Sequence, residues 1–415
     1  MITRDEALAR DADDPLAHVR ERFAPGNGDV IYLDGNSLGR PPRATIERIR
    51  RAMDEEWAGE LVGAWDHWIE LAREAGDVIA GIVGARRGEV VVSDSTSVNL
   101  YKLAAAALDA RSERRIIVTD ANDFPTDQYI VQGLAQARGL ELRPIPADLD
   151  GGITLAQVRQ ALDADVALVA LSHVAYRSGA IADIAGITAA AHGAGALTLW
   201  DLCHSAGAVP IDLAGTGADL AVGCTYKHLN AGPGAPAFLY VRSDLQARLR
   251  QPIWGWFGQR DQFEMAADYA PVEGIERFLA GTPPVLSLYG VLEGAQISAE
   301  AGVDAIFAKA RGLTSLAVTL FEEWLAPLGF TLASPRDERA RGAHIALAHP
   351  QAWPLCQAWK AAGVIPDFRT PDRLRIGVAP LYTRYIDVYD AFARLRTIAE
   401  TRAYESYPRA RSRVT

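Results

Sequence analysis

Lys227 lies just beyond an apolar run, Ala218 to Cys224, inside the stretch GCTYKHLNAGPG that spans Gly223 to Gly234. An ammonium group at the end of a buried strand is costly and shifts readily to the neutral amine, the form that makes Schiff bases with carbonyl compounds. A solvated loop lysine is the plain alternative. Asp201, 26 residues earlier, follows another apolar run, Ala196 to Trp200, and leads into Leu202-Cys203-His204. A carboxylate in such a place is costly to desolvate unless it meets a cation, and a protonated pyridine nitrogen is one such partner. The spacing suits two sides of one cofactor. The same residues would also serve as a helix-capping aspartate and a satisfied core histidine.

Other strand-end stretches carry compatible groups. Asp94-Ser95-Thr96-Ser97 opens the helix-like run LYKLAAAAL, and hydroxyls with free amides at a helix start suit a phosphate as well as they suit ordinary capping. Neither GxGxxG nor a Walker-type loop accompanies them, which argues against a nucleotide. In Asn122 to Asp127, Phe124 could stack on a flat ring while Thr126 and Asp127 hydrogen-bond around it; equally, Phe124 is core and Pro125 starts a helix. Ser172-His173 and Tyr176 to Gly179 follow a further run, and Asp34 to Gly39 is a turn-rich loop after Ile31-Tyr32-Leu33.

The elements that must position these groups are legible from about residue 89 onward. Apolar runs of strand length occupy Glu89 to Ser93, Arg115 to Thr119, Asp165 to Ser172, Ala196 to Trp200, Ala218 to Cys224 and Ala237 to Val241, separated by helix-like or loop segments. Continuous apolar strands with helical connections predict an α/β fold with a mostly parallel sheet covered on both faces, and ligands in such sheets sit at the carboxyl ends of the strands. A large domain over residues 45–283 is expected, preceded by an N-terminal segment, 1–44, packing on both domains. Residues 284–415 should form a connecting helix from about Pro284 and a smaller α/β domain, with strands at Phe330 to Ala333, Ala343 to Ala348 and Leu374 to Val378.

Composition removes several classes of function. The chain has 415 residues, 49% hydrophobic and 23% charged, with a formal net charge of -10, so no basic face for nucleic acid is indicated. Cys203, Cys224 and Cys356 are too scattered for a zinc pattern and too few for a disulfide framework, which suits a reducing cytoplasm. The N-terminal residues mix both charge signs without an apolar core, unlike a signal peptide or anchor. Neither a metal nor a membrane partner is expected.

Six segments in one order narrow the reading further. YLDGNSLGRPP, NDFPTD, WDLCHSAGAVP, CTYKHLNAGPG, GWFG and RIGVAPLYTR together resemble the kynureninase family of fold type I pyridoxal-phosphate enzymes over nearly the full chain. The resemblance implies a large domain with a seven-stranded type of sheet and a smaller C-terminal α/β domain. It also implies pyridoxal 5'-phosphate as cofactor and a homodimer whose active site is shared between subunits. The implied reaction is hydrolysis of the Cβ–Cγ bond of L-kynurenine, or its 3-hydroxy form, to anthranilate, or 3-hydroxyanthranilate, and L-alanine. That chemistry belongs to tryptophan catabolism, the kynurenine pathway and NAD biosynthesis.

Carried over by position, Lys227 would hold the cofactor and move the Cα proton, Asp201 would keep the pyridine nitrogen protonated, and Phe124 would stack on the ring. His204 would lie beside the ring and Asp127 would be a further cofactor contact. Thr96, Ser97, Ser172 and Tyr226 would surround its substituents and phosphate. Trp256 and Thr282 match positions supplied by the neighbouring subunit; Arg375 matches the α-carboxylate arginine; Ser37 and Trp65 fall where the family lines the substrate pocket. Tyr226 is also the candidate acid.

An aminotransferase or a cysteine desulfurase is the nearest rival. Desulfurases resemble a pattern with glutamine where His204 stands, and they need a mobile reactive cysteine. A non-catalytic cofactor-binding homologue would have no need to keep Lys227, Asp201 and Arg375 together.

Overall fold

The computed structural model describes residues 2–26, 28–408 and 410. Seven strands form the large sheet: β1 (Val90–Val92), β2 (Ile116–Asp120), β3 (Glu141–Ile145), β4 (Val166–Ser172), β5 (Leu197–Asp201), β6 (Leu220–Gly223) and β7 (Phe238–Val241). Their spatial order is β1-β7-β6-β5-β4-β2-β3. Pairings from β3 through β6 are parallel, while β7 runs antiparallel to both β6 and β1. The expected mostly parallel sheet is therefore present. Six strands are almost wholly buried, as continuous apolar runs require; β3, sequence ELRPI, is largely exposed at the sheet edge.

Helices cover the sheet because the connections between parallel strands must cross over it. Thr96–Asp109 follows β1 and Pro125–Arg138 follows β2, so each begins at the same end of the sheet. The helix Val285–Ala301 packs against Leu71–Ile82 and leads into Val303–Leu320, which belongs to a second hydrophobic core. That second core covers an antiparallel sheet of β8 (Thr331–Leu332), β9 (His344–Ala348), β10 (Asp367–Arg369) and β11 (Arg373–Gly377), in the order β10-β11-β9-β8.

The N-terminal segment touches both bodies. Ile31–Tyr32 pairs in parallel with Val364–Ile365, and the Gly377 amide donates to the Leu33 carbonyl at 2.7 Å. A few residues on, the Gly39 amide donates to the Tyr226 carbonyl at 2.8 Å. A methyl group at Gly39 would sit 2.4 Å from the Lys227 carbonyl oxygen, so only glycine lets the chain cross so close to the loop of Lys227. The loop carrying Ser37 is thus held between the two sheets.

Candidate active site

The carboxyl ends of β1, β2, β4, β5 and β6 converge on one small cleft of about 90 Å³. Thr96, Ser97, Phe124, Asp127, Ser172, Asp201, His204, Tyr226 and Lys227 line it, and Thr126, Tyr176 and Cys203 complete it. Nine of the predicted residues come from five separate strand ends, which is the parallel-sheet rule at work.

Each wall has a local cause. Asp94 adopts a left-handed backbone, φ 48°, and turns the chain so that Ser95 caps the helix Thr96–Asp109 by accepting from the Val98 amide. The first-turn amides of that helix have no intrahelical acceptors and carry the positive end of its dipole, which suits a phosphate. Lys102, fully buried, clamps the turn: its Nζ donates to Asp94 at 2.8 Å and to the Phe278 carbonyl at 2.5 Å. Across the cleft, Pro125 starts the next helix and leaves Phe124 at its cap, with its ring 41% exposed and set edge-on to Tyr176. An aromatic ring left this open beside a cleft can stack on a flat ligand.

On the floor, Ser172 and Asp201 are register partners on β4 and β5. Asp201 accepts from the Cys203 amide at 2.6 Å, and Ser172 is fixed by Asp123, donating from Oγ at 2.6 Å and from its amide at 3.1 Å. Lys227 projects Nζ to 3.0 Å from His204 Nε2 and lies 5.9 Å from the ring centroids of Phe124 and Tyr226.

Charge in this floor is unbalanced. Burial, followed by the charges of Asp201 and Asp123, pushes the Asp127 carboxyl well above its ordinary value. Burial likewise raises Asp201, against the Cys203 hydrogen bond and Lys227, and raises Asp123 to about 7 against its hydrogen bond from Ser172. Lys227 is the cation opposing Asp127 and Asp201, and Asp127 Oδ2 has no protein partner. The donor set therefore calls for a cationic N–H ligand, the form of a protonated pyridine. Burial, with Lys227 and Arg375 next, pushes His204 well below the usual imidazole range, so it is neutral. Burial pushes the Tyr226 hydroxyl upward, with Cys224 and Cys203 beside it, and keeps it protonated.

The substrate-side residues fall into two groups. Arg375, on β11 and 1% exposed, donates to the Tyr176 carbonyl and to Ser37 Oγ, each at 2.7 Å, and forms ion pairs with Asp367 at 2.5 Å and Asp34 at 3.9 Å. Its Nε has no protein partner. Arg375 and Ser37 are thus together but do not line the cleft; the guanidinium is tied to it by its bond to the carbonyl of Tyr176, which does. Trp65 is instead packed against Trp68 and Phe257, at centroid distances of 5.5 and 5.8 Å, and is not among the cleft's lining residues. Trp256 and Thr282 are exposed and also lie outside that lining; the Trp256 indole donates to the Gln262 carbonyl. Phe257, the residue after Trp256, touches Trp65, so these two predicted positions share one surface region.

Asp123, Tyr176 and Cys203 are the neighbours that sequence reasoning did not assign. Tyr176 follows a predicted strand end and could have been found by the same rule as Ser172. Asp123 acts through a serine 49 residues away, and no local spacing signals that. All three cysteines are buried, including Cys203 in the cleft floor, which does not match a mobile reactive thiol.

Comparison with known proteins follows the same lines. The class-V aminotransferase family matches residues 31–351. The chain is 46% identical to a kynureninase of Burkholderia pseudomallei (strain 1106a), covering 98% of each protein. It is 43% identical to a kynureninase of Pseudomonas fluorescens, covering 97% of each. Among solved structures it is similar to a cysteine desulfurase from Thermococcus onnurineus NA1, with TM-score 0.80 and 20% identity over 93% of this chain and 98% of that one. It is also similar to a C-DES variant with glycine covalently linked to its pyridoxal phosphate cofactor, with TM-score 0.79 and 18% identity over 91% and 98%. At such identities the structural likeness shows the fold alone, a type I pyridoxal-phosphate fold.

Proposed function

The chain belongs to the kynureninase family, and on that footing we propose how its own residues divide the work of the reaction. The reaction is pyridoxal-phosphate-dependent hydrolysis of the Cβ–Cγ bond of L-kynurenine, which yields anthranilate and L-alanine. When bound, pyridoxal phosphate supplies a carbonyl for imine formation and an electron-withdrawing ring that makes carbanion character at the substrate's carbons accessible. The observation that carries the assignment is the buried Asp123–Asp127–Asp201 cluster facing Lys227 at the end of a parallel sheet.

Asp201 and Asp127 would keep a proton on the cofactor's ring nitrogen. Phe124 and His204 would hold its ring, and Thr96, Ser97, Ser172 and Tyr226 would hold its phosphate and ring substituents. Lys227 anchors the cofactor and moves the proton at substrate Cα. Arg375, steadied by Ser37, holds the α-carboxylate; its unpartnered Nε and a neighbouring N–H offer a planar fork for that group. The γ-carbonyl takes up water, and Tyr226 delivers a proton to Cβ as anthranilate leaves.

The place of Tyr226 in the cleft, with its ring centroid 5.9 Å from Lys227 Nζ, supports that last role. Replacing Tyr226 by Phe should lower kcat by about 10²-fold or more, the usual size of a lost general acid. Cofactor affinity should change far less. Normal turnover in that variant would remove the acid role.

The active site is shared in a homodimer, with Trp256 and Thr282 contributed by the neighbouring subunit. Trp254, Trp256, Phe263 and Met265 in the same segment are 58%, 41%, 72% and 70% exposed, more large apolar surface than a monomer normally leaves to water. A monomeric mass in sedimentation would contradict this. Three unpaired thiols support a reducing, cytoplasmic setting in tryptophan catabolism. Recovery of the protein in a membrane or secreted fraction would overturn that placement.

A further inference from the structure

Behind His204 lies a second set of imidazoles to which the reaction described above gives no role. His344 opens β9 in the small sheet and is fully buried; its ring centroid is 5.3 Å from that of His204, with the planes tilted by 56°. His344 stands opposite Gly377, and Ala346 opposite Arg375, so His344 and Arg375 share one face of that sheet. His228, next to Lys227, is 5% exposed, and His204 is 6% exposed. Four ring nitrogens here lack a hydrogen-bonding protein partner: His204 Nδ1, His228 Nε2, and both nitrogens of His344, although His344 lies near the Ala175 carbonyl.

Orphaned polar atoms clustered in the interior are the usual lining of a bound water, which needs two to four polar partners. The imidazole tautomer, in turn, is decided by what the second nitrogen meets. His204 Nε2 already faces Lys227 Nζ at 3.0 Å, so its Nδ1 side is where that decision is made.

We propose that His344 is a positioning residue which, through one water shared with His228, keeps the proton of His204 on Nδ1 and leaves Nε2 free to accept from Lys227. His344 is carried by the small sheet, whereas His204 and His228 flank the large one. The tautomer facing Lys227 is therefore set across the contact between the two bodies, and small-domain position is coupled to the state of the base. This inference rests on the assignment of Lys227 as the base, but its first readout does not require turnover.

The test is nitrogen NMR of full-length protein labelled at histidine nitrogen, recorded with and without pyridoxal phosphate, for wild type, His344→Phe and His344→Gln. Wild type should show His204 protonated at Nδ1. The Phe variant should shift the population toward Nε2–H by about threefold or more, and Gln, which keeps polar atoms at that place, should restore the wild-type pattern. In parallel, kcat should fall about tenfold in the Phe variant with KM little changed, and should largely recover in the Gln variant. If the Phe variant does not fold, His344→Leu makes the same apolar comparison. Unchanged His204 resonances in the apolar variant, or equal kcat losses in the Gln and apolar variants, would overturn the proposal. A shifted tautomer in a protein whose Lys227→Ala variant still turns over would instead count against Lys227 as the base.

Discussion

Lys227→Ala protein is expected to lose turnover of L-kynurenine by at least about 10⁴-fold, because it removes both the covalent anchor and the base at Cα. Lys227 Nζ meets His204 Nε2 at 3.0 Å and lies 5.9 Å from the ring centroids of Phe124 and Tyr226. Borohydride treatment should fix pyridoxal phosphate to the wild-type chain at Lys227 and leave the variant unlabelled. Labelling of the variant at another lysine would move the site. The variant also loses the cation opposing Asp127 and Asp201, so those two buried carboxyls should be pushed further up.

Arg375→Met should have the second largest effect, and on two quantities at once. Loss of the fork for the α-carboxylate should raise KM by about 100-fold, the scale of one or two charge-assisted hydrogen bonds. The same change takes from Asp367, 2% exposed, its pair at 2.5 Å and leaves it only Arg369 at 3.0 Å, so stability should fall by about 1–3 kcal/mol. Asp34 adds to this; burial and the neighbouring Asp367 already push its carboxyl up to about 6 with Arg375 present. Arg375→Met combined with Asp367→Leu removes both partners, and should recover much of the stability while KM stays high. Kinetics of the two proteins alongside denaturant melts separate the roles. If KM tracked stability in the pair, Arg375 would be a structural cation only.

The large sheet was readable because strands buried on both faces have no polar positions to interrupt them. β3 escaped for the opposite reason: at the edge it is solvated, carries Glu141 and Arg143, and tolerates Pro144, so its sequence has no strand signature. Asp367–Arg369, at the edge of the small sheet, escaped because only three residues form it and two of them are charged, although Asp367 and Phe368 are buried. Lys227, Asp201, Phe124 and Ser172 could be placed at one site because strand ends of a parallel sheet share a side. Asp123 and His344 could not. The first acts on Ser172 and the second on His204, 140 positions away, and such pairings exist only once the sheets are assembled. Trp65, Trp256 and Thr282 came from resemblance, and none of them lines the cleft of the single chain.

The most direct measurement is incubation of the purified chain and pyridoxal phosphate with L-kynurenine, following anthranilate by fluorescence and alanine by amino-acid analysis. The expected result is equimolar anthranilate and L-alanine with no keto acid released, and none of either product from the Lys227→Ala protein. Absence of anthranilate from both L-kynurenine and its 3-hydroxy form, or release of a keto acid in place of alanine, would contradict the account.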